Sequence, residues 1–304
     1  MADYTVFENE LVKSGVRFTR AEPLSLHTTV GIGGGADFLV QPKSVVELVK
    51  VAEIAQKTGV RYFFFGKGSN LLVSDNGFRG AAICTKGLND VCVERDIGDI
   101  AFVRAFCGTT LQALNSFCFA NGFSGVEFLN GIPGTVGGAI TMNASFSGKS
   151  IADITSSVFS ESGGRLLLKN GAECGFGYRK SVFQSNGSVV ISALFRTKKV
   201  SISKIRENLS AYKLLRKSQP SGKSMGSVFK NGEIPAGKAV DAAGLKGFRV
   251  GGAYVSDKHA NFILNDGTAT ASDVKDLIII IKAVVKDKLG ISLVEEIQYI
   301  GEFR

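Results

Sequence analysis

The chain has 304 residues, 44% hydrophobic and 21% charged, which fits a globular protein of two or three domains. The apolar run from Leu277 to Val285 is interrupted by Lys282 and falls short of the roughly 20 residues a bilayer span requires. A formal charge of +9 raises nucleic acid as a partner, but the basic residues are dispersed and no nucleic-acid motif is present; a basic cleft for anionic small molecules accounts for the charge equally well.

The first ten residues carry no basic region and no apolar core, so they do not read as a signal peptide, and a cytoplasmic protein is expected. The five cysteines, Cys84, Cys92, Cys107, Cys118 and Cys174, are scattered, which fits free thiols in a reducing compartment. With only His27 and His259 there is no cluster of metal-ligand spacing, and no metal is expected.

In chain order, Thr5 reads as an N-cap with Glu8 completing a capping box, and the helix it opens ends at Gly15. Gly31 to Ala36 matches the dinucleotide pattern GxGxxG/A. The match is rejected, because that fingerprint needs a helix next and Asp37 to Pro42 reads as a strand. Ser44 caps a helix whose Val45, Leu48, Val49, Ala52 and Ala55 recur at helical spacing up to Gly59, and a strand from Arg61 to Phe65 completes a βαβ unit. Strands follow at 81–85, 91–95 and 100–106, then a helix from Thr109 to Gly122. Gly163-Gly164 splits a hairpin, 188–199 is a strand, and 202–217 is a basic helix. The last third holds a helix over 235–243, a strand over 260–265, a helix from about Ser272 to Leu289 and a final strand over 291–303.

Two glycine-rich runs stand out. The stretch from Phe128 to Ala144 has four glycines, one proline and no charge; the stretch Gly66-Lys67-Gly68-Ser69-Asn70-Leu71 lies between two strands. Glycine lets backbone approach a ligand closely and permits positive φ, and bare amides in turns bind anions. Two such loops suggest a dinucleotide with its pyrophosphate between them.

These runs, with Gly177-Tyr178-Arg179, Gly226-Ser227-Val228-Phe229-Lys230-Asn231 and Glu295-Glu296, occur in the order found in the UDP-N-acetylenolpyruvoylglucosamine reductase (MurB) family, which the chain resembles from about Thr28 to Gly301. The resemblance implies an α+β fold: a two-subdomain FAD module like that of the vanillyl-alcohol-oxidase (PCMH) flavoproteins, plus a C-terminal substrate domain. The expected division is 1–80 with 290–304, then 81–198, then 199–289. It implies non-covalent FAD, NADPH as co-substrate, and the enolpyruvyl sugar nucleotide of peptidoglycan synthesis as substrate. Hydride adds to C3 of the enolpyruvyl group and a proton to C2. No nucleic acid, no membrane and a monomer are expected.

Matched to the family's motifs, Arg179 would grip the substrate carboxylate, Ser227 would give the proton and Glu296 would assist. Glu295 is the adjacent rival, which strand alternation would send to the opposite face. FAD would meet Gly66, Lys67, Gly68, Ser69, Asn70 and Leu71 from one loop, and Gly131, Gly134, Thr135, Gly137, Gly138 and Asn143 from the other. Tyr178, Arg216, Lys230, Asn231 and His259 would contact substrate. The chain also resembles the short form of the family, which lacks a tyrosine-bearing loop: only strand and turn signals lie between Arg179 and Ile202. The rivals are a flavin oxidase of the same superfamily, whose covalent members carry a histidine where this loop has Ser69-Asn70, and a nucleic-acid-binding protein suggested by charge alone.

Overall fold

The structure, a computed structural model, describes residues 2–184 and 188–303. The chain forms two compact units: Met1–Thr19, Phe38–Lys67 and Gly80–Arg216 make the first, and Arg20–Asp37, Gly68–Arg79 and Lys217–Arg304 the second.

In the first unit, helix α1 (Tyr4–Ser14) ends at Gly15 with φ 67°, as the sequence predicts. Its cap differs from expectation: the Val6 amide donates to Asp3 Oδ1, so Asp3 closes the first turn and Thr5 lies inside the helix. Helix α2 (Val45–Thr58) begins with the Glu47 amide donating to Ser44 Oγ (3.1 Å) and turns Leu48, Val51, Ala52, Ile54 and Ala55 into the core. The strand Tyr62–Phe65 pairs in parallel with residues 81–84, which stand between it and the strand Gly35–Val40.

An antiparallel sheet carries the rest, in the order Arg165–Asn170, Thr155–Ser162, Val189–Lys199, Ile100–Phe106, Val91–Ile97. In the strand Ile100–Phe106, Ala101, Val103 and Ala105 alternate into the core, the period of two that a one-sided strand requires. Gly163 and Gly164 both take positive φ, 61° and 79°, as the two-residue hairpin turn demands. Helix α3 (Leu111–Ala120) is capped by Thr110, and a short helix α4 (Val136–Thr141) arises in the glycine run, where the sequence shows no helical period. Helix α5 (Ile202–Leu215) belongs to this unit, with Tyr212 packed on its core.

In the second unit, strands Lys223–Ser227, Phe262–Asn265, Ala253–Val255 and Arg249–Val250 form an antiparallel sheet in that order. Helices α6 (Ala236–Ala242) and α7 (Ala271–Leu289) contribute to its core. α7 supplies Val274, Leu277, Ile278, Ile281 and Val285, which recur every three or four residues. A capping box of Thr270 and Asp273 starts α7, and Gly290 at φ 70° ends it.

The expected strand over 291–303 is a correction. Only Gln298–Ile300 is a strand, parallel to Leu71–Val73, while residues 294–296 bond instead to 228–230. The chain there serves two partners in turn, so no single strand register runs through it.

Candidate active site

In the first unit, the glycine run is pinned to its neighbours by backbone. Leu111 N donates to Gly134 O (3.1 Å), Val136 N to Thr109 O (2.8 Å) and Gly137 N to Cys107 O (2.9 Å). The first two amides of α4 are thus spent on protein carbonyls. Gly137 needs to be glycine, because a Cβ there would stand 2.9 Å from Cys107 Cβ. Gly66 meets this run directly: a Cβ on it would lie 2.1 Å from Thr135 Oγ1. That hydroxyl is buried, makes no cap bond to α4, and has no hydrogen-bond partner among the described residues. A buried acceptor and donor beside a cradle that any Cβ would fill fits a phosphate-bearing cofactor such as FAD. Gly131 (φ 78°) and Gly138 are exposed, Gly134 is half-buried and Lys67 is exposed.

Asn143, buried at φ 43°, ties the glycine run to the next motif. Its Nδ2 donates to Gly177 O (2.8 Å), and its Oδ1 accepts from Ala152 N (3.2 Å). Gly177 and Lys180 exchange both backbone bonds (3.0 and 3.1 Å), which puts Tyr178 and Arg179 at the tip of a tight turn. Arg179 sits there at φ 53°, a conformation that L residues rarely hold and that concentrates at functional sites. Its Nη1 donates to Ser145 Oγ (3.2 Å), and its guanidinium lies 5.7 Å from the ring of exposed Tyr178.

Arg216 is held against the same loop. Its Nε donates to Asn130 O (3.0 Å), its guanidinium stacks 4.3 Å over Phe146, and its side chain lies against Gly131. Burial lowers its pKa to about 10, which still leaves it charged at neutral pH.

In the second unit three segments interlock. Gly68, at φ 65°, abuts His27, whose carbonyl oxygen a Cβ would meet at 2.3 Å; Ser69, Asn70 and Leu71 follow, all half-buried. Asn70 Nδ2 donates to Glu296 O (3.3 Å), and Gln298 N donates to Asn70 O (2.9 Å). Glu296 N donates to Val228 O and Lys230 N to Val294 O, both at 2.8 Å. A register shift between Ser224 and Ser227, with Gly226 at φ 77°, bulges the strand immediately before Ser227. Bulges re-aim side chains and are frequent beside active sites. The structure thereby ties the backbone segments that carry Ser227, Lys230 and Glu296 to one another and to the Gly68–Leu71 loop.

Glu295 Oε1 accepts from Lys282 Nζ (2.6 Å) on α7, and Glu295 also bonds the Tyr299 hydroxyl, whose pKa burial raises, with that contact adding to the rise. Glu295 is therefore engaged within the fold.

Two expected substrate residues are bound up locally. Asn231 is exposed, and its Oδ1 accepts from Ala236 N (3.0 Å) at the start of α6. His259 Nδ1 accepts from Asn261 N (3.2 Å); its ring packs edge-on against Phe262 at 5.1 Å and abuts Gly237. Burial lowers the His259 pKa, so it is neutral at pH 7. None of these contacts is with Ser227, Lys230 or Glu296. Sequence reasoning passed over Ser145, Phe146, Lys282 and Asn261. An asparagine opening the apolar stretch Phe262-Ile263-Leu264 is the one local signal among them, and its burial emerges only in the structure.

Among the described residues no group of His, Cys, Asp and Glu could hold a metal, and no helix is long and apolar enough to cross a membrane. Residues 218–300 match the family described as "UDP-N-acetylenolpyruvoylglucosamine reductase, C-terminal domain", and residues 36–161 match "FAD binding domain". The UDP-N-acetylenolpyruvoylglucosamine reductase of Carboxydothermus hydrogenoformans is 43% identical, over 92% of this chain and 93% of its own. That of Caldicellulosiruptor bescii is 39% identical, over 98% and 95%. The crystal structure of the enzyme (MurB) from Thermus caldophilus superposes with a TM-score of 0.80 at 33% identity, covering 94% of this chain and 99% of its own. Alkyldihydroxyacetonephosphate synthase, 17% identical with a TM-score of 0.50 over 65% of this chain and 41% of its own, shares the fold alone.

Proposed function

The chain belongs to the UDP-N-acetylenolpyruvoylglucosamine reductase (MurB) family, and from that premise we propose how its residues carry the reaction. It is an FAD-dependent oxidoreductase that reduces UDP-N-acetylglucosamine enolpyruvate to UDP-N-acetylmuramate in peptidoglycan synthesis, with NADPH as the co-substrate expected of the family. Its fold is α+β, an FAD-binding module followed by the family's C-terminal domain. When bound, FAD supplies the hydride that NADPH delivers to it.

Gly66 and Thr135 would form a cradle for the cofactor's phosphates, with Gly131, Gly134, Gly137 and Gly138 keeping the backbone bare and Asn143 fixing the loop; Gly68 would offer its backbone to the cofactor from the turn that follows. Lys67, Ser69, Asn70 and Leu71 line the same loop. Arg179, pre-oriented by its turn and by Ser145, grips the substrate carboxylate with its planar fork as charge grows there. Ser227 Oγ–H supplies the proton at C2, and Lys230 offsets the negative charge left on that oxygen. Glu296 donates a hydrogen bond when protonated. Tyr178, Arg216, Asn231 and His259 complete the substrate contacts. The observation that carries this reading is the pairing of 228–230 with 294–296, which joins the segments bearing Ser227, Lys230 and Glu296.

The three-part division into 1–80 with 290–304, 81–198 and 199–289 belongs to the same proposal; a ligand-bound structure with all flavin contacts inside one segment would overturn it. The proposal also includes a cytoplasmic monomer that binds no nucleic acid. It includes the short form of the enzyme too: residues 180–200 hold no tyrosine, although Ser185 to Gly187 lie outside the described residues. The test is anaerobic. Purified protein should be yellow, release its colour on acid precipitation, bleach with NADPH and recover its colour on adding the enolpyruvyl sugar nucleotide. Colourless protein, or bleached protein that the sugar nucleotide leaves unchanged, contradicts the assignment.

A further inference from the structure

Phe229 is fully buried two residues past Ser227, so its backbone polar groups need partners. One side chain supplies both. Phe229 N donates to Asn261 Oδ1 (2.9 Å), and Asn261 Nδ2 donates to Phe229 O (2.8 Å). The amide thus stands where a neighbouring strand would be. The backbone of Asn261 adds a third bond, with Val228 N donating to Asn261 O (2.9 Å). On its other side the same segment is held by Val294 and Glu296. Asn261 is 3% exposed and its own N–H is taken by His259 Nδ1, so the clamp is itself fixed.

We propose that Asn261 is a positioning residue for the protonation at C2: by clamping Phe229 it sets where the Ser227 hydroxyl and the Lys230 ammonium stand. The inference rests on the reading of Ser227 as proton donor. In that step the C2–C3 π bond breaks, hydride forms the new C3–H bond, and the proton from Ser227 Oγ forms the new C2–H bond. The alkoxide left behind regains a proton from water. C2 becomes a stereocentre, and the face from which the proton arrives fixes its configuration. A serine held in one place yields one configuration. A displaced serine lets water compete from either face.

The test uses the holoenzyme and reads the configuration of the product. Asn261→Asp keeps size and the acceptor for Phe229 N, but removes the donor and sets a carboxylate oxygen against Phe229 O. Asn261→Ser shortens the clamp without adding charge. We expect flavin reduction by NADPH at an unchanged rate, reoxidation by the sugar nucleotide slowed about 10²-fold, the effect of a misplacement near 1 Å, and product of mixed configuration at C2. Configuration is a property of each turnover, so a variant that is merely less stable still gives one form. A single configuration from both variants overturns the proposal. So does failure of both to accumulate as folded flavoprotein, which assigns Asn261 to stability alone. Ser227→Ala separates the two levels: if it reoxidises normally and yields one configuration, the reading of Ser227 itself is what fails.

Discussion

Replacing Thr135 by valine should move the apoprotein and the FAD complex in opposite directions. Thr135 Oγ1 is buried with no protein partner among the described residues and makes no cap bond to α4, so without the cofactor no protein group satisfies this hydroxyl. Such a group costs about 1–3 kcal/mol, and valine removes it while keeping the shape. At about 2–4 °C per kcal/mol for a unit of this size, the apoprotein should melt several degrees higher. The same hydroxyl lies where Gly66 leaves no Cβ, the place assigned to the cofactor's phosphates. A hydrogen bond to a charged group contributes about 1.5–3 kcal/mol, so FAD should bind about 10–10²-fold more weakly to Thr135→Val. Thermal denaturation of flavin-free protein and titration of FAD by flavin fluorescence measure the two effects separately. A lower melting temperature with unchanged FAD affinity would refute the reasoning, because it would make Thr135 an ordinary packing residue.

Arg179→Lys keeps the charge but loses the planar fork, so kcat/KM should fall severely while FAD content stays normal; near-normal turnover removes Arg179 from the mechanism. Glu296→Gln should abolish most activity while FAD content stays normal. Glu295→Gln should lower the melting temperature and keep most of the activity, since Glu295 is paired with Lys282 and Tyr299, and loss of activity in Glu295→Gln with retention in Glu296→Gln would transfer the role to Glu295. Burial pushes the thiols of Cys107 and Cys118 up to about 12 and that of Cys174 to about 11, and raises Cys84 as well. The thiolate is the reactive form, so native protein at pH 8 should titrate with a thiol reagent at exposed Cys92 alone and at all five cysteines once denatured. Fast reaction of a second thiol in native protein would contradict that burial.

The local elements were legible in the sequence because their causes are local. Ser44 before an apolar stripe, Gly59 at its end, Thr110 opening α3 and the Gly163-Gly164 turn each act within a few residues. Even here neighbours compete: Asp3 takes the cap that Thr5 was expected to hold, because its carboxylate reaches the Val6 amide first. The order of the motifs was likewise sufficient to name the family. What tertiary structure alone decided were the partners. Nothing in Ile291 to Phe303 announces that residues 294–296 bond to 228–230 while 298–300 pair with 71–73, since the choice belongs to strands far away in the chain. The family's motifs name Asn143 as a cofactor contact, and only the folded chain shows its amide bridging two loops as well. Asn261 shows in the sequence only as a polar residue at the head of an apolar strand, with nothing to say what its amide would hold. A side-chain amide becomes a surrogate strand only when folding buries a backbone beside it, and no pattern in one sequence records which backbone that will be.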